Sequence, residues 1–203
     1  MRILPFLFPR YTWQKSKKDK VIYLTFDDGP IPEVTEWVLD VLQQQQIQAT
    51  FFCIGDNIRK HPAIFQRIVA EQHRIGNHTF HHVKGWKTTV EDYIANTEQC
   101  QQEIVKHHKE GTSLFRPPYG KITKKQANYL LNQGYEIIMW SIITKDYEAG
   151  LSPQQCLKRT IKRITPGSII VFHDSLKAEK NMKYALPLLL EYLKQEGYSF
   201  ATL

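Results

Sequence analysis

Apolar residues fall along this chain in short runs that alternate with longer stretches where they recur every three or four positions. Val21, Ile22, Tyr23, Leu24, Thr25 and Phe26 make the first run, and Asp27-Asp28-Gly29-Pro30 turns the chain at its end. A buried strand is expected over 21–26. Val34, Trp37, Val38, Val41 and Leu42 follow at helical spacing, then a strand pattern over 49–54, then Ile64, Phe65, Ile68 and Val69 on one helix face. Further strands are expected near 74–76, 114–115, 135–140, 168–172 and 198–200. Helical patterns occupy 90–108, 124–133, 153–164 and 184–195. Repeated strand–helix alternation implies an α/β fold with a largely parallel sheet, either a barrel or a doubly wound layer. In both, chemistry gathers just past the C-terminal ends of the strands.

With 203 residues and 42% hydrophobic side chains, the chain is long enough for one domain with a sizeable core. No repeat, low-complexity tract or Ser/Gly linker divides it. The composition excludes collagenous, disordered and disulfide-framework classes. Cys53, Cys100 and Cys156 are odd in number and form no CxxC pair, so they make neither a disulfide framework nor a cysteine zinc site.

The formal charge of +7 favours an acidic partner such as an anionic cell-wall polymer, a membrane surface or nucleic acid. Nucleic acid is not expected, because no zinc finger, helix-turn-helix or aromatic RNA-binding motif is present. Lys15, Lys17, Lys18 and Lys20 read as a solvated run in an N-terminal segment, residues 1–20. That segment begins like a secretion signal, but Pro5 and Pro9-Arg10 interrupt it and no small-residue cleavage site follows. No stretch approaches the roughly 20 apolar residues that span a bilayer. Cytoplasmic residence and export by an unrecognised route both stay open.

Polar clusters follow five of the expected strands. Asp27 and Asp28 place two carboxylates side by side, an arrangement that a cation or an arginine relieves. Asn77-His78-Thr79-Phe80-His81-His82 puts three histidines within five positions. His78 and His82, four apart, face one point if the segment makes a helical turn, and His78 with His81 is also feasible. Two imidazoles and a carboxylate bind zinc while leaving a coordination position free. Phe115-Arg116-Pro117-Pro118-Tyr119-Gly120 is a stiff loop in which a fixed amide near Tyr119 could donate to an oxyanion. The fourth cluster is the segment from Trp140 to Tyr147. The fifth is an apolar run ending in His173-Asp174.

In this order and spacing, the five clusters resemble the motif series of the polysaccharide deacetylases of carbohydrate esterase family 4. The likeness runs from about Val21 to the C-terminus. Thr25-Phe26-Asp27-Asp28-Gly29-Pro30 is similar to the first motif, and His78-Thr79-Phe80-His81-His82 to the His-[Ser/Thr]-x-x-His second. Arg116 to Gly120 matches the third, and the run ending at His173 the fifth. The resemblance implies a distorted (β/α)7-type barrel, with residues 21–203 as a single catalytic domain. It implies Asp27 as general base and Asp28, His78 and His82 as ligands of one divalent ion, zinc first, with cobalt, nickel or manganese as alternatives. His81 falls on a variable position of the motif. Arg116 would hold the carboxylate network, and the Tyr119 amide would stabilise the oxyanion. His173 would be the general acid, oriented by Asp146, with Pro118, Tyr147 and Val171 lining the substrate pocket.

One motif departs from the family. Where the pattern is Asp-x-x-Asp-Trp, this chain has Ile143-Thr144-Lys145-Asp146-Tyr147, which retains the second Asp and changes the pocket wall. The implied activity is removal of N-acetyl groups from an amino-sugar polymer by a monomeric enzyme, its partner being the acetylated polysaccharide. The basic charge favours an anionic glycan such as peptidoglycan. The alternatives are an O-acetyl xylan esterase, a small cyclic amide hydrolase, or a non-catalytic sugar-binding relative.

Overall fold

The computed structural model describes residues 4–203. Its strands are β1 (Val21–Asp27), β2 (Thr50–Cys53), β3 (Arg74–Asn77), β4 (Leu114–Phe115), β5 (Glu136–Ile137), β6 (Ile142–Ile143), β7 (Ile169–His173) and β8 (Ser199–Phe200). Between them lie helices α1 (Leu4–Leu7), α2 (Val34–Gln45), α3 (Gly55–Lys60), α4 (Pro62–Ala70), α5 (Val90–His107), α6 (Lys124–Asn132), α7 (Pro153–Ile161) and α8 (Glu179–Gln195). The order β5-β4-β3-β2-β1-β7-β6 forms one curled parallel sheet, and β8 pairs with the start of β1. The chain therefore forms an α/β distorted barrel in a single domain. None of its described helices is long and apolar enough to cross a membrane.

Period-two alternation along β1 assigns its faces. Ile22, Leu24 and Phe26 pack outward with Leu39 and Leu42 of α2 and Leu186 and Leu190 of α8. Tyr23, Thr25 and Asp27 consequently point into the barrel, where Phe52, Leu114, Ile138 and Ile169 form the inner cluster. Gly76 makes room there, since a Cβ on it would lie 2.3 Å from the Phe52 ring. Helix α2 starts from Glu33 in a left-handed conformation (φ 65°), a strain of about 1–3 kcal/mol. Val34, Val38, Leu39 and Leu42 are all fully buried, and at about 1.5–3 kcal/mol each they outweigh it.

The structure differs from the periodicity in four places. α3 was not expected, because among its six residues only Gly55 and Ile58 are buried. Pairing of β6 with β7 turns Ile142 and Ile143 of the fourth cluster into a strand. α8 starts at Glu179 rather than near 184. Met182, Ala185, Leu186, Leu189, Leu190 and Leu193 anchor it around an internal Pro187. The strand expected over 135–140 shortens to Glu136–Ile137, because the next partner is a different part of the chain. Among the described residues, β5 and β6 end the sheet without pairing to each other, and residues 12–15 cross the gap between them. The Thr12 amide donates to Ile137 O (2.9 Å), the Met139 amide to Thr12 O (2.7 Å), and the Lys15 amide to Gly167 O (2.9 Å). Trp13 packs beneath this strap, donating its indole N–H to Phe8 O.

Candidate active site

β1 ends at Asp27, and the chain turns at once. Asp28 takes a left-handed conformation (φ 87°), its amide donating to Phe52 O (3.3 Å) and its carbonyl accepting from Asn57 Nδ2 (2.7 Å). The Gly29–Pro30 peptide is cis. Gly29 donates its amide to Asp174 Oδ1 (3.0 Å), and a Cβ on Gly29 would sit 1.9 Å from Asp174 Oδ2. Only glycine fits this contact. Thr35 Oγ1 is 2.6 Å from the same carboxyl. Burial, with the charge of Asp28 adding to it, raises the Asp174 pKa to about 8. Asp174 thus braces the Asp27-Asp28 turn from beneath. Alone, an Asp after a His carries no sequence signal for that role.

Asp27 is almost fully buried and is held by a cation inside the barrel. Arg116 is fully inaccessible. Its Nη1 donates to Asp27 Oδ1 and to Thr25 Oγ1 (both 2.7 Å), its Nε to Ile138 O (3.3 Å), and its Nη2 to Met139 O (3.1 Å). The guanidinium lies 4.0 Å from the centre of the Phe52 ring. A buried charge pair survives only when its remaining donors are satisfied, and Thr25 Oγ1, Ile138 O and Met139 O do that here.

The histidines converge without a helical turn. His78 follows β3, its amide donating to Cys53 O (3.0 Å). Thr79 (φ 63°) and His82 (φ 54°) are left-handed, and Asn96 of α5 accepts the amides of Phe80 and His81 (both 2.9 Å). The resulting loop brings His82 Nε2 to 3.3 Å and His78 Nε2 to 3.9 Å from Asp28 Oδ1. His81 is exposed, edge-on to Phe80, and lies outside this set.

Asp28, His78 and His82 are the one His/Cys/Asp/Glu group among the described residues that could hold a metal ion, with ligand atoms all within 4.8 Å of one another. Three features fit a divalent cation. Asp28 Oδ1 is buried with no hydrogen-bond partner. His78 Nδ1 is 2.7 Å from Arg116 O, an atom that can only accept, so Nδ1 carries the proton and Nε2 keeps its lone pair. Burial also lowers the pKa of both rings, His78 to about 4, which keeps them neutral.

Opposite stands His173, beside Asp27 in the β1–β7 register. Asp146 grips it twice, with Oδ1 2.7 Å from Nδ1 and Oδ2 accepting the backbone amide at 2.8 Å. Asn181 and Thr144 brace Asp146 in turn. Burial by itself would push the His173 pKa down. The neighbouring carboxylates, Asp146 foremost with Asp28 and Asp27, together outweigh burial, and the pKa rises to about 9.

These groups open onto a cleft of ≈ 660 Å³. Asp27, Asp28, His78, His82, Tyr119, Tyr147 and His173 line it, and the Tyr119 ring rests 4.6 Å from His82. Tyr119 is left-handed (φ 60°), which turns the loop after the two prolines toward the cleft. Pro118 and Val171 are buried and are not among the lining residues, whereas Pro117, Trp140, Ile143, Ser175 and Lys177 are. Pro117, Trp140 and Ile143 fall within the third and fourth sequence clusters, Ile143 at the motif departure, whereas Ser175 and Lys177 carried no sequence signal. A slightly larger hollow of ≈ 750 Å³ lies at the other end of the strands, around Gln46, His73 and Phe200, away from every cluster described here.

A family model described as polysaccharide deacetylase matches residues 14–138. A peptidoglycan-N-acetylglucosamine deacetylase of Bacillus cereus is 35% identical over 186 residues, 90% of this chain and 66% of that protein. A second of the same description and organism is 32% identical over 195 residues, 94% of this chain and 90% of that one. Among solved structures, the Bc1960 peptidoglycan N-acetylglucosamine deacetylase superposes with a TM-score of 0.93 at 32% identity, covering 98% of this chain and 94% of that one.

Proposed function

The chain belongs to the polysaccharide deacetylase family, and on that footing we propose that it hydrolyses N-acetyl groups on an amino-sugar polymer of the peptidoglycan kind, releasing acetate. The observation that carries this reading is the meeting in one cleft of three sets of groups. They are an Asp28–His78–His82 set suited to a cation, the Arg116-held carboxylate of Asp27, and an Asp146-held imidazole at His173.

Asp28, His78 and His82 would hold a divalent ion, zinc first. Bound there, it would supply Lewis acidity, polarising the acetyl carbonyl and acidifying water to a pKa of about 7. Asp27 takes the proton of the attacking water. Arg116 fixes one of its oxygens and does not engage the other. The Tyr119 amide donates to the developing oxyanion. His173 then hands a proton to the departing sugar nitrogen. Asp146 occupies Nδ1, so Nε2 is the donating atom, and this step is worth roughly 10²- to 10⁴-fold. Tyr147 forms part of the wall against which the acetyl group rests. Ile143, at the position where the family pattern has Asp, makes that wall more apolar.

Acetate release from acetylated chito-oligosaccharides and peptidoglycan fragments, with Zn²⁺ or Co²⁺ added, tests the reading. Sugar binding without release from any acetylated substrate would instead establish a non-catalytic binding protein. The raised pKa of His173 gives a pH signature. The acid form is populated at neutral pH, so kcat/KM falls only as pH climbs through about 9. A cation at Asp28 diminishes the contribution of the carboxylates and moves that limb lower. Asp146→Asn removes the main support, and the alkaline limb should shift down by one or more pH units, toward the ordinary histidine value of about 6.5. Stability follows the same sign. The His173 contribution is complete below about pH 6.5 and is lost as pH rises through about 9. Urea titrations of wild type and His173→Gln at pH 6, 8 and 10 should therefore converge at the alkaline end.

A further inference from the structure

The catalytic cleft continues past Tyr147. A second hollow of ≈ 650 Å³ shares Tyr147 and Lys177 with it, so the two are successive parts of one groove. Lys177 Nζ stands 5.9 Å from the Tyr147 ring centre at the divide. Beyond it, α7 presents Gln155 and Arg159, four residues apart and therefore on one helix face. Arg159 and Lys177 are exposed, and neither forms an ion pair among the described residues. Glu148 is the one carboxylate lining this hollow, and Lys145 already holds it at 2.6 Å.

We propose that this second hollow is a carboxylate subsite, where Arg159 and Lys177 bind an acidic substituent on the glycan unit next to the one being deacetylated. The proposal rests on the deacetylase reading and specifies its substrate class. Arg159 and Lys177 both line this hollow without an ion-pair partner among the described residues, so it favours an anionic group. The planar fork of Arg159 suits a carboxylate in particular. The acid could belong to a lactyl ether on the sugar or to a short peptide attached to it.

Steady-state kinetics on three acetylated oligosaccharides of equal length test this. One is a neutral chito-oligosaccharide, one bears free lactyl carboxylates, and one has its lactyl groups amidated by a short peptide ending in a carboxylate. Arg159→Gln should raise KM by about three- to fivefold on an acidic substrate, with kcat unchanged and the neutral substrate unaffected. Lys177→Gln should raise KM more on the acidic than on the neutral substrate. Both effects should fade near 1 M salt, where screening acts within about 3 Å. The acidic substrate that carries the effect identifies the source of the carboxylate. Equal changes on neutral and acidic substrates, or no change in KM, would overturn the subsite. If wild type releases acetate from none of them, the deacetylase reading fails. Calorimetric binding then decides the subsite separately: a preference for acidic oligosaccharides that Arg159→Gln abolishes sustains it, and no preference refutes it.

Discussion

Asp27→Asn should cut turnover by about 10²- to 10⁴-fold while leaving cation uptake intact, whereas Asp28→Asn should lose the ion and, as a consequence, activity. The two carboxylates are neighbours in sequence but face different partners. Asp27 lies inside the barrel with one oxygen on Arg116 Nη1. Asp28 turns out of the strand with an unpartnered oxygen toward His78 and His82. An Asn at position 27 still accepts the Arg116 hydrogen bond but is far too weak a base to take a proton from water. Calorimetric Zn²⁺ titration and acetate release, run on both variants, separate the roles. Near-normal rates in Asp27→Asn would remove it as the base, and unaltered Zn²⁺ affinity in Asp28→Asn would remove it as a ligand.

Arg116→Met should be the most destabilising single change, costing about 3–5 kcal/mol. It strands Asp27 as a buried, unpaired carboxylate and takes donors from Ile138 O and Met139 O together. For a domain of this size, each kcal/mol moves the melting temperature by about 2–4 °C, so a fall on the order of 10 °C is expected. Arg116→Lys should rescue little, because a single ammonium cannot reproduce a planar fork reaching four acceptors. Thermal melts of both variants against wild type measure this. A Lys variant as stable as wild type would mean that charge alone, not the fork, supports the barrel interior.

Much of this architecture was legible in the amino-acid order, for identifiable reasons. β1, β2 and β7 are runs whose alternate residues face two different apolar surroundings, so nearly every position is apolar and the strand is plain. The candidate groups Asp27-Asp28 and His173 sit at the ends of β1 and β7, which is where a parallel sheet exposes them. The path by which His78 reaches His82 was not legible. It depends on left-handed backbone at Thr79 and His82 and on Asn96 from another helix, and neither leaves a periodic trace. α3 and β6 are too short for periodicity to register. Arg116 illustrates a further limit. A cation between prolines and an apolar strand reads as surface from composition alone, and its burial follows only from acceptors at positions 25, 27, 138 and 139 that tertiary structure assembles.

Those same acceptors link the segment around Thr12 to the cleft end of the barrel. Thr12 clasps the backbone at positions 137 and 139 from outside, while the carbonyls of Ile138 and Met139 receive Arg116 from within. Asp27 is therefore tethered, through one guanidinium and one short stretch of β-edge, to a piece of polypeptide that touches no reacting group. Alterations made ahead of β1 can loosen Asp27, the proposed proton acceptor, without coming near the cleft.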